Sequence, residues 1–334
     1  MRESLFFVFL THEIFIINIY KILAFLWIIY YNIYNRLIIY YIRCKGVEEM
    51  EISTQTSPFN AFGDNKAIVK LLKDSGFTAY DFSMYSHKNN EHAMIDFDDY
   101  KEKARLLREY ADSIGIKCNQ THAPFPSAKK GDEEYNKYIF PFLLRSIEVS
   151  GILGATTCVI HPCNDYTAEE NAVLYEALRE CAEKSGVIIC TENMFNWDRE
   201  NNRPCFAACA TAEDFVAHVE LLDKKVFGAC LDLGHAEIMG DTVSASELIH
   251  ALGDRLVALH IHENDKRGDN HVLPYSFRKE TYEGILKALK EIGYKGDITF
   301  ESGNFIHRLP VELYPAGARF MAEMGAYFKK ALSE

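Results

Sequence analysis

Seven short motifs put histidine or a carboxylate at or just beyond the end of an apolar run. They are Thr121-His122-Ala123-Pro124, Ile160-His161-Pro162, Thr191-Glu192-Asn193, Leu231-Asp232-Leu233-Gly234-His235, Leu259-His260-Ile261-His262-Glu263, Asp269-Asn270-His271 and Phe300-Glu301-Ser302. Imidazole nitrogens and carboxylate oxygens are the protein's ligands for divalent cations. A carboxylate placed beside such a cation can also carry protons to and from a substrate. One histidine of this kind ordinarily hydrogen-bonds a neighbouring loop. Seven motifs in step with strand ends point to a metal-dependent site gathered from many parts of the chain. Glu192, Asp232, His260 and Glu301 make the strongest set, because four interior ionisable groups are costly without a cation to neutralise them. Three carboxylates and one imidazole suit Mn²⁺, Zn²⁺, Co²⁺ or Mg²⁺ without selecting sharply among them.

The segments that carry these residues repeat one unit. A helical stretch ends, Gly follows, and a short apolar run leads to a polar residue, at Gly76, Gly115, Gly154, Gly186, Gly253 and Gly293. Gly after a helix supplies its left-handed cap. Eight strands are expected, at 52–56, 77–82, 116–122, 156–161, 187–192, 226–232, 256–262 and 298–301. Helices are expected near 65–75, 98–114, 132–152, 278–292 and 311–331. Three more start at the capping spacings Thr167-x-x-Glu170, Thr211-x-x-Asp214 and Ser244-x-x-Glu247. Short apolar strands alternating with helices predict an α/β fold, a single-domain (β/α)8 TIM barrel, whose strand ends converge on one mouth. A doubly wound open sheet is the alternative, but no G-x-G-x-x-G follows the first strand.

From about Met50 onward the chain resembles the xylose-isomerase-like TIM barrel superfamily, which includes sugar phosphate isomerases and epimerases and is related to endonuclease IV. The resemblance to the epimerases implies a single-metal set at Glu192, Asp232, His260 and Glu301. The resemblance to endonuclease IV implies further metal or substrate ligands at His122, His161, His235, Asp269 and His271. The fourth motif departs from the repair pattern: His262 stands where Asn is expected, and it reads as an orienting residue rather than a ligand. Phe59, Phe125, Phe195 and Trp197 would wall a sugar pocket, and Arg267 or Lys266 would hold a substrate phosphate or hydroxyl.

The formal net charge of the 334 residues is −12, a poor match to a nucleic-acid surface. In the loops expected at the mouth, Lys88, Lys129, Lys130, Arg199, Arg203, Lys266, Arg267 and Arg308 are offset by a similar number of acids. That balance favours a small polar substrate. The nine cysteines form no Cys-x-x-Cys pair and read as reduced core thiols of a cytoplasmic protein; Cys205 and Cys209 are of a type that could assist a metal.

Residues 1–49 differ in composition from the rest. They are crowded with Phe, Ile, Leu and Tyr, and the Tyr/Ile-rich part has no charge-free stretch longer than Ile22 to Asn35, short of the about 20 residues of a membrane span. They are expected to be an over-extended reading frame ahead of a natural start at Met50, with a membrane anchor as the alternative; residues 50–334 are expected to be the catalytic barrel.

The expected function is a divalent-metal-dependent sugar or sugar phosphate isomerase or epimerase. Glu192 and Glu301 would transfer protons through a metal-stabilised enediolate. Two alternatives remain: an endonuclease IV-like apurinic/apyrimidinic endonuclease with a multinuclear zinc site, and a non-catalytic sugar-binding barrel. The partner is expected to be a small sugar, without nucleic acid or membrane, and a homo-oligomer is compatible with the sequence.

Overall fold

The computed structural model describes residues 50–334 except 87, 89 and 241; the expectations for residues 1–49 lie outside the described residues. Ten strands run β1 (Ile52–Thr54), β2 (Ala79–Ser83), β3 (Lys117–His122), β4 (Thr157–Val159), β5 (Ile188–Glu192), β6 (Phe195–Asp198), β7 (Arg203–Phe206), β8 (Phe227–Asp232), β9 (Leu256–His260) and β10 (Ile298–Phe300). Six form a parallel sheet in the order β2-β3-β4-β5-β8-β9, and β1 pairs with β10, also parallel. Backbone hydrogen bonds join the two groups at both edges. The Thr56 N–H donates to the Asp81 carbonyl (2.9 Å), and the Ile261 N–H donates to the Thr299 carbonyl (2.9 Å). The eight parallel strands therefore close into a ring, the TIM barrel that the alternating pattern predicts.

Helices wrap the ring: α1 (Asn65–Ser75), α2 (Tyr100–Ile114), α3 (Glu133–Leu153), α4 (Ala168–Glu176), α5 (Arg179–Ser185), α6 (Ala212–Glu220), α7 (Leu233–Glu237), α8 (Ala245–Leu252), α9 (Lys279–Glu291), α10 (Gly303–His307) and α11 (Tyr314–Ser333). Their starts follow the caps in the sequence. Thr167 and Glu170 form a reciprocal capping box, while the side chains of Thr211 and Ser244 accept from the N–H of Asp214 and Glu247. Gly76, Gly115, Gly154 and Gly186 take the left-handed conformation that ends a helix.

Three features depart from the expected pattern. An irregularity at Ala177-Leu178 divides the fourth helical layer into α4 and α5, although both residues keep right-handed helical angles. The short helices α7 and α10 follow Asp232 and Ser302 directly. Between β5 and α6 stands an antiparallel hairpin, β6-β7. Its turn is set by Asp198, whose side chain accepts from the N–H groups of Glu200 and Asn201, and by Asn202 at φ +49°.

The last helix packs against β1 and β10. A Cβ on Gly325 would lie 2.3 Å from Ile52 Cγ2 and 3.1 Å from Phe300 Cε2, so only Gly lets α11 rest on β1 and β10. Gly325→Ala is expected to lower the unfolding free energy by about 1–3 kcal/mol through overpacking, read from urea or thermal denaturation. Unchanged stability would show that the helix can lift off the strand freely. Among the described residues, no helix is long and apolar enough to cross a membrane.

Candidate functional site

Four strands deliver the strongest ligand set to one end of the ring. β5 ends on Glu192, β8 on Asp232 and β9 on His260, while Glu301 directly follows β10. Asp232 is the register partner of His260, which places them side by side. His260 Nδ1 sits 2.9 Å from Glu192 Oε1 and 2.7 Å from Glu301 Oε2. One ligand atom from each of the four residues lies within 4.8 Å of all the others. Two further groups meet the same criterion: His122, His161 and Glu192, and His235, His262, Asp269 and His271.

The back of each ring decides what its front offers. His122 Nδ1 contacts the Ala123 carbonyl at 2.7 Å, His235 Nδ1 the Asn193 carbonyl at 2.9 Å, and His271 Nδ1 the Glu301 carbonyl at 2.8 Å. A carbonyl can only accept, so each Nδ1 carries the hydrogen and each Nε2 faces the cluster, which is how metal-binding histidines are held. Glu192 Oε2 is buried 3.2 Å from His161 Nε2 and 3.5 Å from His122 Nε2, yet makes no well-formed hydrogen bond. Asp269 Oδ1 is likewise buried without a partner. Buried polar atoms are almost always satisfied. Acceptors left bare among imidazole nitrogens fit a cation better than they fit one another.

The charges are mutually balanced. Burial opposes ionisation of Glu192, but His260, His122 and His161 outweigh it and hold its carboxyl well below the usual range. Burial also opposes ionisation of Glu301, and the His260 imidazole again prevails and lowers it. For His260, burial disfavours the charged ring, but Cys230, Glu301 and Glu192 raise its pKa well above the ordinary value. His235 is raised by Asp232 and Asp269 against burial, and His271 is raised to about 9 by Asp269 and Glu301, also against burial. These imidazoles hold protons at neutral pH, and a cation must displace them. Binding of Zn²⁺ at pH 7 should therefore release at least one proton per ion in weakly buffered indicator solution. Affinity should rise as pH is raised above neutrality and fall on acidification. Binding without proton release would contradict this arrangement.

A cavity of about 450 Å³ opens over the cluster, lined by Glu192, Glu301, His122, His161, His235, Asp269 and His271, though not by Asp232 or His260, together with Tyr85, Phe125, Lys129, Met194 and Phe195. Phe125 stacks on His161 with centroids 4.8 Å apart. Trp197 is half-buried in the hairpin and Arg267 is exposed on the loop after β9; neither lines this cavity. Phe59 is fully buried against Tyr314 and does not line this cavity. His262 lies beneath the mouth, its Nε2 2.9 Å from Asp232 Oδ1 and its ring stacked on His271 with centroids 4.0 Å apart. A Cβ on Gly234 would fall 2.0 Å from His262 Cε1, so the Gly234 backbone makes room for that ring. Cys205 is half-buried in the hairpin and Cys209 is buried beside Thr191; neither belongs to the metal-competent groups found among the described residues.

Two residues of β2 and its C-terminal extension escaped the sequence reading. The Tyr85 hydroxyl donates to Glu301 Oε1 at 3.3 Å, and burial, then the Glu301 charge, push its pKa well above the ordinary value, so it remains a donor. Asp81 is fully buried with Oδ2 3.6 Å from His260 Nε2. No motif marked them, because the chain here reads Asp81-Phe82-Ser83-Met84-Tyr85, with no His or Glu at the strand end.

A family model described as xylose isomerase-like TIM barrel matches residues 69–324. The chain belongs to this family. An uncharacterised protein of Methanocaldococcus jannaschii is 28% identical over 211 residues, which is 60% of this chain and 69% of that protein. Among solved structures, a D-tagatose 3-epimerase-like protein superposes with a TM-score of 0.65 at 20% identity, covering 85% of this chain and 98% of that one. The IolI protein, solved with a binding zinc atom, superposes with a TM-score of 0.63 at 18% identity, covering 85% and 98%. At these identities the two structures establish the family's shared barrel.

Proposed function

We propose that this protein is a divalent-metal-dependent sugar or sugar phosphate isomerase or epimerase. The observation that carries the reading is the convergence of Glu192, Asp232, His260 and Glu301 within 4.8 Å beneath a cavity of about 450 Å³. The D-tagatose 3-epimerase-like protein among the similar barrels supports the same class, and the zinc atom bound by the IolI protein supports a divalent ion. Glu192, Asp232, His260 and Glu301 would hold the ion; His122, His161, His235, Asp269 and His271 would hold a further ion or contact substrate.

A bound ion supplies positive charge against which negative charge on two adjacent sugar oxygens is stabilised. The rest is the work of side chains. Glu192 and Glu301 come from the fifth and eighth barrel strands and flank the same point. One carboxylate removes the proton from the carbon beside the carbonyl, and the other returns a proton. Return to the opposite face epimerises that carbon; return to the neighbouring carbon isomerises the sugar. Tyr85 holds Glu301 in position, while Phe125 and Phe195 give the sugar apolar walls.

The two other histidine-bearing groups favour a second reading, a multinuclear endonuclease IV-like site. Against it, the lining of the cavity contains one lysine, Lys129, and no arginine, beside Asp165, Glu192, Asp269 and Glu301. A phosphodiester backbone requires several cationic contacts. Metal analysis of purified protein, followed by a screen of ketoses and ketose phosphates, tests the proposal. Turnover of one of them is expected. Binding of sugar without turnover would make the barrel a binding module.

A further inference from the structure

His260 is mounted the other way round from His122, His235 and His271. Those three turn Nδ1 to a backbone carbonyl and present Nε2 to the cluster. His260 presents Nδ1 to Glu192 and Glu301, so its Nε2 points away from them. No backbone carbonyl receives that nitrogen, and it has no hydrogen-bond partner although the residue is fully buried. The acceptor facing it is the Asp81 carboxylate, whose Oδ2 lies 3.6 Å away. Asp81 is itself fully buried: its Oδ1 has no partner, and its Oδ2 accepts one long hydrogen bond, 3.3 Å, from Gln120 Nε2. A buried carboxylate this poorly served is costly unless a donor satisfies it. A buried ring nitrogen without a partner and a buried carboxylate served by one long hydrogen bond stand 3.6 Å apart inside the barrel.

We propose that Asp81 is the positioning residue for His260. Its carboxylate takes the Nε2 hydrogen, fixes the tautomer that leaves the Nδ1 lone pair facing Glu192 and Glu301, and so sets the affinity of the central cation site. Asp81 reaches across the barrel from β2 and touches neither ion nor substrate. Within a carboxylate–imidazole–metal chain, the outer carboxylate both orients the ring and makes its other nitrogen more basic. Loss of such a partner typically weakens metal binding about 10–100-fold. This inference rests on the proposed metal site but not on the identity of the sugar.

The test uses the whole protein, stripped with EDTA and titrated with Zn²⁺ and Co²⁺ against a competing chelator. Asp81→Asn keeps the shape and an acceptor oxygen but removes the charge; Asp81→Leu removes the acceptor. The expected order of affinity is parent, then Asp81→Asn about tenfold weaker, then Asp81→Leu about a hundredfold weaker. The visible spectrum of the Co²⁺ form should shift in the same order. Melting curves of the metal-free variants, set beside the metal-free parent, show that each is folded at the temperature of the titration. Equal affinities across the series would overturn the proposal. So would a metal-free Asp81→Asn that melts well below the parent yet, at a temperature where it is folded, binds metal normally, since that pattern means a structural role alone. If the order holds but no ketose is turned over, the sugar reading fails and the assignment of Asp81 stands. If the parent binds no metal, both fail.

Discussion

Glu301→Gln is expected to lose isomerase or epimerase activity by about 10²–10⁴-fold, the usual contribution of a general acid–base group, with metal in excess throughout. Gln keeps the size and one oxygen of the side chain, so it can still accept from Tyr85, whose hydroxyl donates to Glu301 Oε1 at 3.3 Å. It cannot carry a proton. Glu301 is also among the ligand-competent residues, so weak metal binding must be separated from lost proton transfer. Activity is therefore measured at rising metal concentration, and the deficit should persist at saturation. Recovery of full activity at high metal would reduce Glu301 to a ligand. The same series on Glu192→Gln shows whether the two carboxylates act as a pair, because removing either should stop turnover in both directions.

Removal of the ion should have an effect of comparable size. Stripped with EDTA and assayed in chelator-treated buffer, the protein should lose at least the ~10²–10³-fold that a single charge-stabilising donor contributes at such sites. One of Mn²⁺, Co²⁺, Zn²⁺ or Mg²⁺ should restore turnover. Glu192→Gln, Asp232→Asn and His260→Ala should each lower bound metal, as counted by elemental analysis. The ion should also stabilise the fold, by about 2.7 kcal/mol at a free concentration a hundred times its Kd, visible as a higher melting temperature. Full activity after verified stripping would remove the metal from the account. Full occupancy in a variant lacking two of the three side chains would show that the ligands lie elsewhere.

The barrel was legible because two simple periodicities agree. Short apolar runs are what strands covered on both faces require, and the Gly and Thr or Ser caps punctuate the helices between them. The strand ends were legible for a related reason: His or a carboxylate after an apolar run is conspicuous, and Glu192, Asp232, His260 and Glu301 do meet in space. What escaped lacks such contrast. Asp81 lies within β2 and faces inward, where alternation alone cannot tell a functional carboxylate from any other residue. Tyr85 looks like one more aromatic in a chain with many. The β6-β7 hairpin is polar and short, so its strands were hidden, although Asp198 and Asn201-Asn202 mark a turn in retrospect. Trp197 and Arg267 were chosen for chemical type, and type says nothing of direction: one is half-buried in the hairpin and the other is exposed on its loop. His262 departs from the motif in sequence, but only the folded barrel brings its Nε2 against Asp232 and its ring onto His271.

Proton transfer on a sugar, directed by this mouth, is tested most directly by turnover in D₂O. The protein, loaded with the ion that supports activity, is incubated with the ketose it converts, and product and recovered substrate are analysed by NMR. The account predicts deuterium on the carbon beside the carbonyl, appearing with the reaction and absent with Glu301→Gln. Conversion without label would mean that hydrogen moved directly between carbons, and the two carboxylates would lose their assigned role. Cleavage of an abasic DNA duplex at low enzyme concentration, with no ketose turned over, would contradict the sugar reading altogether and make the three ligand groups a repair site.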